Sequence, residues 1–251
     1  MNQLRRYEII MELLLERREV SVAELSDRLQ VTGKTIREDL AKLEERGLLV
    51  RVHGGAMLAQ SDQLGILRSN VSDGLYGEAK AEIAGIVQRH IEPGDIVALD
   101  GGSTTLEIAR RLDNIPITVV TNDLYIINEL TRKDQIRLVV PGGYRVRNML
   151  TGPEAVHFLQ SLNIHKAFLS ATGIHLQDGL SIYTSDFIEF KMALLRVSRV
   201  AYAVADHRKF GRTALRTFAP LTDVKAIITD SGLSLETAAH YRAAGVDVIT
   251  P

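Results

Sequence analysis

The chain has 251 residues, of which 45% are hydrophobic and 24% charged, a composition typical of globular proteins. It has no cysteine, which excludes disulfides, thiolate metal sites and a cysteine nucleophile, and it has no apolar run of about eighteen residues that would span a membrane. The formal net charge is −1, and the first residues lack the apolar stretch of a signal peptide, so we expect a cytoplasmic protein without a membrane partner.

The first three predicted elements are helices. Apolar residues at helical spacing predict one over residues 3–16, and a capping box that begins at Ser21 starts the second. Thr32 is a good N-cap for the third helix, which should run to about Glu45, and Gly47 fits the position just beyond its end. Two short helices joined by a turn are typical of a helix-turn-helix unit.

A hairpin follows the third helix. Residues 48–52 are β-rich and alternate in polarity, His53-Gly54-Gly55 predicts a turn, and residues 56–59 return. Three helices with such a wing predict a winged helix-turn-helix domain in residues 1–58. A three-helix module that binds other proteins is the competing interpretation.

In a helix-turn-helix unit the second helix of the motif enters the major groove with its N-terminal residues towards the bases. The wing is suited to contacts with the DNA backbone. We expect the DNA contacts to come from Gly33, Lys34, Thr35, Arg37 and Glu38 on the helix and from Arg51 and His53 on the wing.

The stretch TIREDLAKLEERGLLVRVHGGA, residues 35–56, resembles the DNA-binding signature of the DeoR-type bacterial transcriptional regulators. That family typically has a pair of arginines before the aspartate, whereas here Arg37 is followed by Glu38 and then Asp39. The resemblance implies double-stranded operator DNA as a partner. Glu38 should be exposed, so the departure bears on which bases are read, and we expect Asp39 to pair with a neighbouring basic group.

The rest of the chain changes in pattern. Residues 59–76 lose periodicity and gather Ser, Asp, Asn and Gly, which predicts a linker. In residues 77–251 helical patterns alternate with strand-like runs, which predicts an α/β domain with a Rossmann-like parallel sheet. The strand-like runs are residues 95–100, 116–121, 135–140, 165–173, 199–206, 225–230 and 246–250.

Five polar or glycine-rich turns follow strands of this sheet. They are residues 100–105, 121–123, 141–143, 170–173 and 206–209. Because the carboxyl ends of parallel strands meet at one edge, where ligands bind in such sheets, we expect all five to line a single pocket.

The chemistry of these turns favours an anion. The first, Asp100 to Thr105, opens a helix and offers backbone amides and hydroxyls of the kind that hold phosphate. Arg145, close behind the third turn, adds a cation. Neither G-x-G-x-x-G nor a P-loop is present, and the histidines are scattered, so we expect no cofactor and no metal.

The motifs DGGSTT, VTND, PGG, ATG and VADHRKFG are similar, in that order, to the effector domain of the same DeoR-type family. The resemblance implies a fold related to ribose-5-phosphate isomerase and a phosphorylated sugar or polyol as effector. The residues that it implies as effector contacts, together with Asp100 and Arg145, are Gly101, Gly102, Ser103, Thr104, Thr105, Thr121, Asn122, Gly142, Gly143, Asp186 and Lys191.

Two other functions remain open at this point. A sugar-phosphate isomerase or deaminase would use Asp100, Asp186, Glu189, Lys191 and His175 for acid–base chemistry. A metabolite-binding protein that only recruits partners would keep the pocket. A winged helix has no use in a soluble isomerase, and a protein that only recruits partners would leave the basic tip of the wing unexplained. The sequence therefore favours a regulator, namely a repressor of a carbohydrate catabolism operon that binds DNA as a homo-oligomer, dimer or tetramer.

Overall fold

The computed structural model describes residues 2–45, 48–58 and 77–251. Gly47 and the predicted linker, residues 59–76, lie outside the described residues. The N-terminal elements are α1 (Gln3–Arg17), β1 (Glu19–Ser21), α2 (Val22–Leu29), α3 (Gly33–Glu45), β2 (Leu49–Val52) and β3 (Gly55–Leu58).

In the winged helix, α2 and α3 begin directly after the predicted capping residues, Ser21 and Thr32. The Ser21 hydroxyl accepts the backbone N–H of Glu24 at 3.1 Å, and the Thr32 hydroxyl accepts that of Thr35 at 3.2 Å. Both bonds satisfy amides that a helix leaves without partners in its first turn. The local sequence therefore fixes where α2 and α3 begin.

The wing differs from the prediction in two ways. Its turn contains only His53 and Gly54, because Gly55 already pairs with Val52 in the ladder of β2 and β3. The wing is also a three-stranded sheet, since β1 pairs with β3 on the other side. A Cβ on Gly55 would lie 2.1 Å from the carbonyl oxygen of Val20, so only glycine allows this close approach.

One apolar core joins the helices of this domain to the wing. Its largest fully buried side chains are Ile10, Met11, Leu13, Leu14, Leu25, Ile36, Leu40, Leu43 and Leu49. Leu40 and Leu43 face inwards from α3 at helical spacing.

The second domain is longer and alternates helices with strands. Its helices are α4 (Gly77–Gln88), α5 (Ser103–Arg111), α6 (Leu124–Leu130), α7 (Pro153–Gln160), α8 (Ile188–Val197) and α9 (Leu235–Ala243). Its strands are β4 (Ile96–Leu99), β5 (Thr118–Val120), β6 (Arg137–Val139), β7 (Tyr144–Val146), β8 (Met149–Thr151), β9 (Ile164–Ser170), β10 (Gly173–His175), β11 (Gly179–Ile182), β12 (Ser198–Val204), β13 (Arg216–Ala219), β14 (Ala226–Ile228) and β15 (Val248–Ile249).

Seven of these strands form one parallel sheet in the order β15-β14-β12-β9-β4-β5-β6. They are the seven predicted strand-like runs. The chain starts in the middle with β4, builds outwards to β6, returns to place β9 beside β4, and then builds outwards to β15. The connections therefore diverge between β4 and β9, which creates a crevice at their carboxyl ends.

Apolar side chains cover both faces of this sheet. Along β4, Val97 and Leu99 join the core under α4, α5 and α6, whereas Ala98 joins the core under α7, α8 and α9. Burial on both faces explains the continuous apolar runs in the sequence. Within the described ranges, no helix has the length and apolarity needed to cross a membrane.

Several short strands outside this sheet were not predicted. β7 and β8 form a hairpin, and β10, β11 and β13 form a small antiparallel sheet. Each has only three or four residues, too few to show a period. The hairpin brings Met149, and the segment after β11 brings residues 183 and 184, over the crevice between β4 and β9.

Candidate functional site

The N-terminal end of α3 is exposed on the surface of the winged helix. Lys34, Arg37 and Glu38 are exposed, and Gly33 and Thr35 are half-buried, while Ile36 on the opposite side is fully buried. The buried side fixes the rotation of the helix, so the charged side faces outwards. This is the arrangement that a recognition helix needs to enter a major groove.

A buried ion pair holds α3 against α1. Asp39 is 1% exposed and accepts two hydrogen bonds from the Arg6 guanidinium, at 2.7 Å from Nε and 3.1 Å from Nη2. The hydrogen bond to Asp39 raises the pKa of Arg6 above its usual value. Asp39 therefore pairs with a neighbouring basic group, as predicted, and is buried rather than exposed on the outer side of α3.

The wing is tied to α3 by a second pair. Glu44 accepts the backbone N–H of Arg51 at 2.8 Å and its Nε at 2.6 Å. These hydrogen bonds, the backbone one first, hold the pKa of Glu44 below its usual value. Arg51 thus sets the angle between wing and helix as well as offering charge at the surface, whereas His53 in the exposed turn has no such bond to α3 among the contacts that the structure describes.

A cavity lies at the crevice between β4 and β9 in the second domain. It is lined by residues 101–104 after β4, residues 170–172 at the end of β9, and Asp206 and Lys209 after β12. Met149, residues 182–184, Phe187 and Lys191 complete its wall. The cavity lining therefore combines small polar groups and two cations with apolar side chains.

Lys191 forms a buried ion pair at the base of this cavity. Its Nζ donates to Asp100 and to the carbonyl oxygen of Ser170, the latter at 2.9 Å. The side chains of Lys191 and Asp100 are 4% and 2% exposed. Asp100 also accepts the backbone N–H and the hydroxyl of Ser170, each at 3.0 Å. Asp100 thus accepts three hydrogen bonds beneath the cavity, two from Ser170 and one from Lys191, and these fix the position of the Lys191 ammonium group.

The loop that opens α5 passes close to β9. A Cβ on Gly102 would lie 2.9 Å from the Ser170 hydroxyl, so a larger residue would push the loop away from the neighbouring strand. The first turn of α5, which begins at Ser103, lies in the cavity wall with its backbone amides not yet paired within the helix. A helix N-terminus of this kind favours an anion, because the macrodipole adds to the free N–H groups.

Lys209 supplies a second cation. It is 5% exposed, and burial lowers its pKa to about 8, although the charge of Asp206 opposes this change. It therefore stays mostly protonated at neutral pH. The sequence predicted that the turn carrying it, residues 206–209, lines the pocket, although Asp206 and Lys209 were not among the predicted effector contacts; the structure places both in the cavity lining.

Asp123 stabilises the loop between β4 and α5 from outside the cavity lining. It is fully buried, caps α6 through the amides of Tyr125 and Ile126, accepts Asn148 Nδ2 at 2.6 Å, and bonds the backbone N–H of Gly102. Burial, with a further contribution from the charge of Asp100, raises the pKa of Asp123 to about 7.

The predicted effector residues fall into two groups. Gly101, Gly102, Ser103, Thr104 and Lys191 line the cavity, and Asp100 lies directly beneath it. The others lie outside the lining that the described residues form. They are Thr105, Thr121, Asn122, Gly142, Gly143, Arg145 and Asp186.

The second group shapes the surroundings. The Thr105 hydroxyl donates to the Gly102 carbonyl, the Thr121 hydroxyl accepts the Asp123 amide, and the Asn122 amide donates to the Leu150 carbonyl. A Cβ on Gly143 would lie 2.2 Å from the carbonyl oxygen of Thr151. These contacts fix turns and the hairpin rather than the cavity wall.

Arg145 and Asp186 are exposed, and the Asp186 carboxylate accepts the Thr184 hydroxyl at 2.7 Å. The prediction that all five turns line one pocket is therefore wrong. The cavity lies between β4 and β9, and the turns after β5 and β6 belong to strands farther out on the β4 side of that crevice.

Comparison with known proteins gives two family matches. The DeoR-like helix-turn-helix domain matches residues 6–62, and the DeoR C terminal sensor domain matches residues 76–231. The chain is 38% identical over 229 residues to the transcriptional repressor AccR of Agrobacterium fabrum, covering 89% of this chain and 88% of that protein. It is 31% identical over 249 residues to a putative aga operon transcriptional repressor of Escherichia coli O157:H7, covering 97% and 92%.

Similar structures include a ribose 5-phosphate isomerase A from Methanocaldococcus jannaschii, at 14% identity and a TM-score of 0.40 over 54% of this chain and 55% of that chain. The two family matches together account for the exposed recognition helix and for the cavity-bearing α/β domain. The chain therefore belongs to the DeoR family of transcriptional regulators, with a DNA-binding helix-turn-helix domain and a C-terminal sensor domain.

Proposed function

We propose that this regulator represses a carbohydrate catabolism operon and that a phosphorylated sugar or polyol in the cavity controls its affinity for operator DNA. The proposal depends on one observation: two buried lysines, Lys191 and Lys209, lie in the lining of the same cavity as the N-terminus of α5. Buried cations and free helix amides together favour a phosphate group.

The rest of the cavity suits a sugar. The hydroxyls of Ser103, Thr104 and Thr172 offer donors and acceptors, and Tyr183 and Phe187 offer apolar surface for the carbon skeleton. Sites for small polar molecules combine these two kinds of surface. The names of two relatives support the class, since one is a putative aga operon repressor and another, from Haemophilus influenzae and 31% identical over 230 residues, is an L-fucose operon activator.

The DNA-binding domain offers few contacts on its own. Lys34, Thr35 and Arg37 are the residues that we place towards the major groove, with Gly33 and Glu38 beside them and Arg51 and His53 on the wing. Such a small contact set supports binding as a homo-oligomer to repeated half-sites about one helical turn, or a multiple of it, apart.

The first experiment identifies the operator and the effector with the full-length protein. Genome-wide footprinting gives the bound sites. Operator affinity for one of these sites is then measured by fluorescence anisotropy, and the melting temperature of the protein by thermal shift, with matched pairs of sugars: ribose 5-phosphate against ribose, and glucose 6-phosphate against glucose. We expect at least one phosphorylated sugar or polyol to raise the melting temperature and to change operator affinity, while its unphosphorylated partner does neither.

A variant separates the two sites. Thr104→Val removes a hydroxyl from the cavity wall and should blunt the effector response, with operator affinity in the absence of sugar unchanged. The proposal fails if a broad set of phosphorylated sugars leaves both melting temperature and operator affinity unchanged. Turnover of a sugar phosphate by the purified chain would instead favour the isomerase or deaminase alternative.

A further inference from the structure

Residues 183–186, here called the bridge segment, connect the cavity to the DNA-binding domain. Tyr183 and Thr184 belong to the cavity wall. The next residue, Ser185, contacts α1 of the winged helix. A single peptide bond, between Thr184 and Ser185, therefore separates the cavity wall from the contact with the DNA-binding domain.

Tyr183 takes part in both domains. It is 6% exposed and lies in the same apolar cluster as the winged-helix core, together with Leu215 of the second domain. Its hydroxyl accepts a hydrogen bond from Arg147, whose guanidinium also lies 5.1 Å from the centre of the ring. A displacement of this ring would disturb the packing of α1 directly, because close-packed cores do not deform gradually.

The polar half of the contact centres on Glu8 of α1. Its carboxylate accepts the Ser185 hydroxyl and lies 3.6 Å from the Arg216 guanidinium. Glu8 is 7% exposed, so a carboxylate that loses these partners would remain buried without full compensation. Arg5, on the same helix, pairs with the other oxygen of Glu8 at 3.1 Å.

Charged groups of both signs surround this contact. Burial raises the pKa of Glu12, one turn further along α1, and the nearby Asp186 carboxylate adds to this, whereas Arg5 and Arg147 oppose it. Asp186 itself is exposed and lies outside the cavity lining.

We propose that the bridge segment couples the two domains: a ligand that fills the cavity displaces Tyr183 and Thr184, and this breaks the contact of Ser185 with Glu8 and loosens α1. This inference rests on the proposed function, since it describes how that cavity would control DNA binding. It names Ser185 and Glu8 as positioning residues for the winged helix, although neither touches the ligand or DNA.

The test uses a tethered anion, so it does not depend on the natural effector. The chain has no cysteine, so Ser103→Cys places one thiol at the cavity wall. Its thiolate attacks sulfonatoethyl methanethiosulfonate, forms a mixed disulfide and releases methanesulfinate, which leaves a sulfonate in the cavity. The hydroxyethyl reagent gives a neutral label as control.

The measurement is hydrogen exchange of α1, residues 3–17, in the full-length protein. We expect the sulfonate label to speed exchange of these amides by about fivefold or more, the lower end of usual coupling between sites. In a Ser185→Ala background α1 should already exchange faster, and the label should add little. Ser161→Ala removes a hydroxyl that donates only to the Phe158 carbonyl in the described structure, and it should respond like the parent.

Unchanged or slower exchange of α1 on labelling, or an equal response with and without the Ser185 hydroxyl, would overturn the coupling. The outcome is separable from that of the proposed function. If the sulfonate label speeds exchange of α1 but no free phosphorylated sugar has an effect, the proposed effector is wrong and the proposed coupling stands. If a phosphorylated sugar changes operator affinity but the label leaves α1 unaffected, the coupling is wrong and the proposed effector stands.

Discussion

Each domain of this regulator contains a buried ion pair, and the two pairs have different surroundings. Arg6 and Asp39 join α1 to α3 within the packed winged helix. Lys191 and Asp100 join α8 to the end of β4, but there the ammonium borders a cavity. The same kind of interaction therefore holds two helices together in a packed core in one domain, whereas in the other it places an ammonium group in the wall of the proposed effector cavity.

The Lys191 pair should show the largest effect. Lys191→Met leaves the Asp100 carboxylate buried without its ammonium partner, and we expect a loss of about 3–5 kcal/mol in the free energy of unfolding. Urea unfolding followed by circular dichroism measures this. The double variant with Asp100→Asn removes both charges and should recover most of the loss, whereas equal loss in single and double variants would contradict a buried ion pair.

The Arg6 pair should follow. Asp39→Ala leaves the Arg6 guanidinium without its carboxylate, and we expect about 3 kcal/mol of destabilisation, confined to the winged helix. Limited proteolysis and hydrogen exchange locate the loss. Operator binding should fall with it, while binding of ligand to the second domain should persist. Loss of ligand binding as well would mean that the two pairs are not independent.

A third buried group, Asp123, should make the free energy of unfolding depend on pH. Its folded-state pKa of about 7 lies above the ordinary value of 3.8, so its contribution to stability is complete below pH 3.8 and is lost as the pH rises through 7. Between pH 5 and pH 8 we expect stability to fall by about 2–3 kcal/mol from this group. Unfolding at both pH values checks this, and Asp123→Asn should flatten the difference. An unchanged pH dependence in Asp123→Asn would assign the slope to another group.

The smallest effect is expected at the exposed face of α3. Arg37→Ala should cost about 1–3 kcal/mol at one base pair if the guanidinium reads a base, or reduce the salt slope of binding by about one if it holds a phosphate. Anisotropy across salt concentrations and operator variants separates the two results. Arg132→Ala, an exposed arginine of the second domain, is the matched control. A wild-type binding profile for Arg37→Ala would refute the placement of the recognition helix.

Much of the winged helix was predictable because its signals are local. Capping hydroxyls at Ser21 and Thr32 and apolar spacing along α3 lie within a few residues of the contacts that they make. β1 was missed because three residues carry no period, and its only mark is Gly55, which the sequence alone assigns as readily to the turn. The ion pair between Glu44 of α3 and Arg51 of β2 joins a helix to a strand, so no spacing pattern within one element predicts it.

The seven parallel strands, the helices between them and the polar turns at their carboxyl ends could be predicted from the amino-acid pattern, because strands buried on both faces have continuous apolar runs. The divergence of the chain between β4 and β9 is evident only in the folded structure; it places the turns after β4, β9 and β12 in the cavity lining and leaves those after β5 and β6 outside it. The fold also places residues 183 and 184 at the cavity and Ser185 against α1. Strand order and domain contacts depend on side chains far apart in the chain, as with Lys191 and Asp100, which are separated by 91 positions, and no local pattern records such a pair.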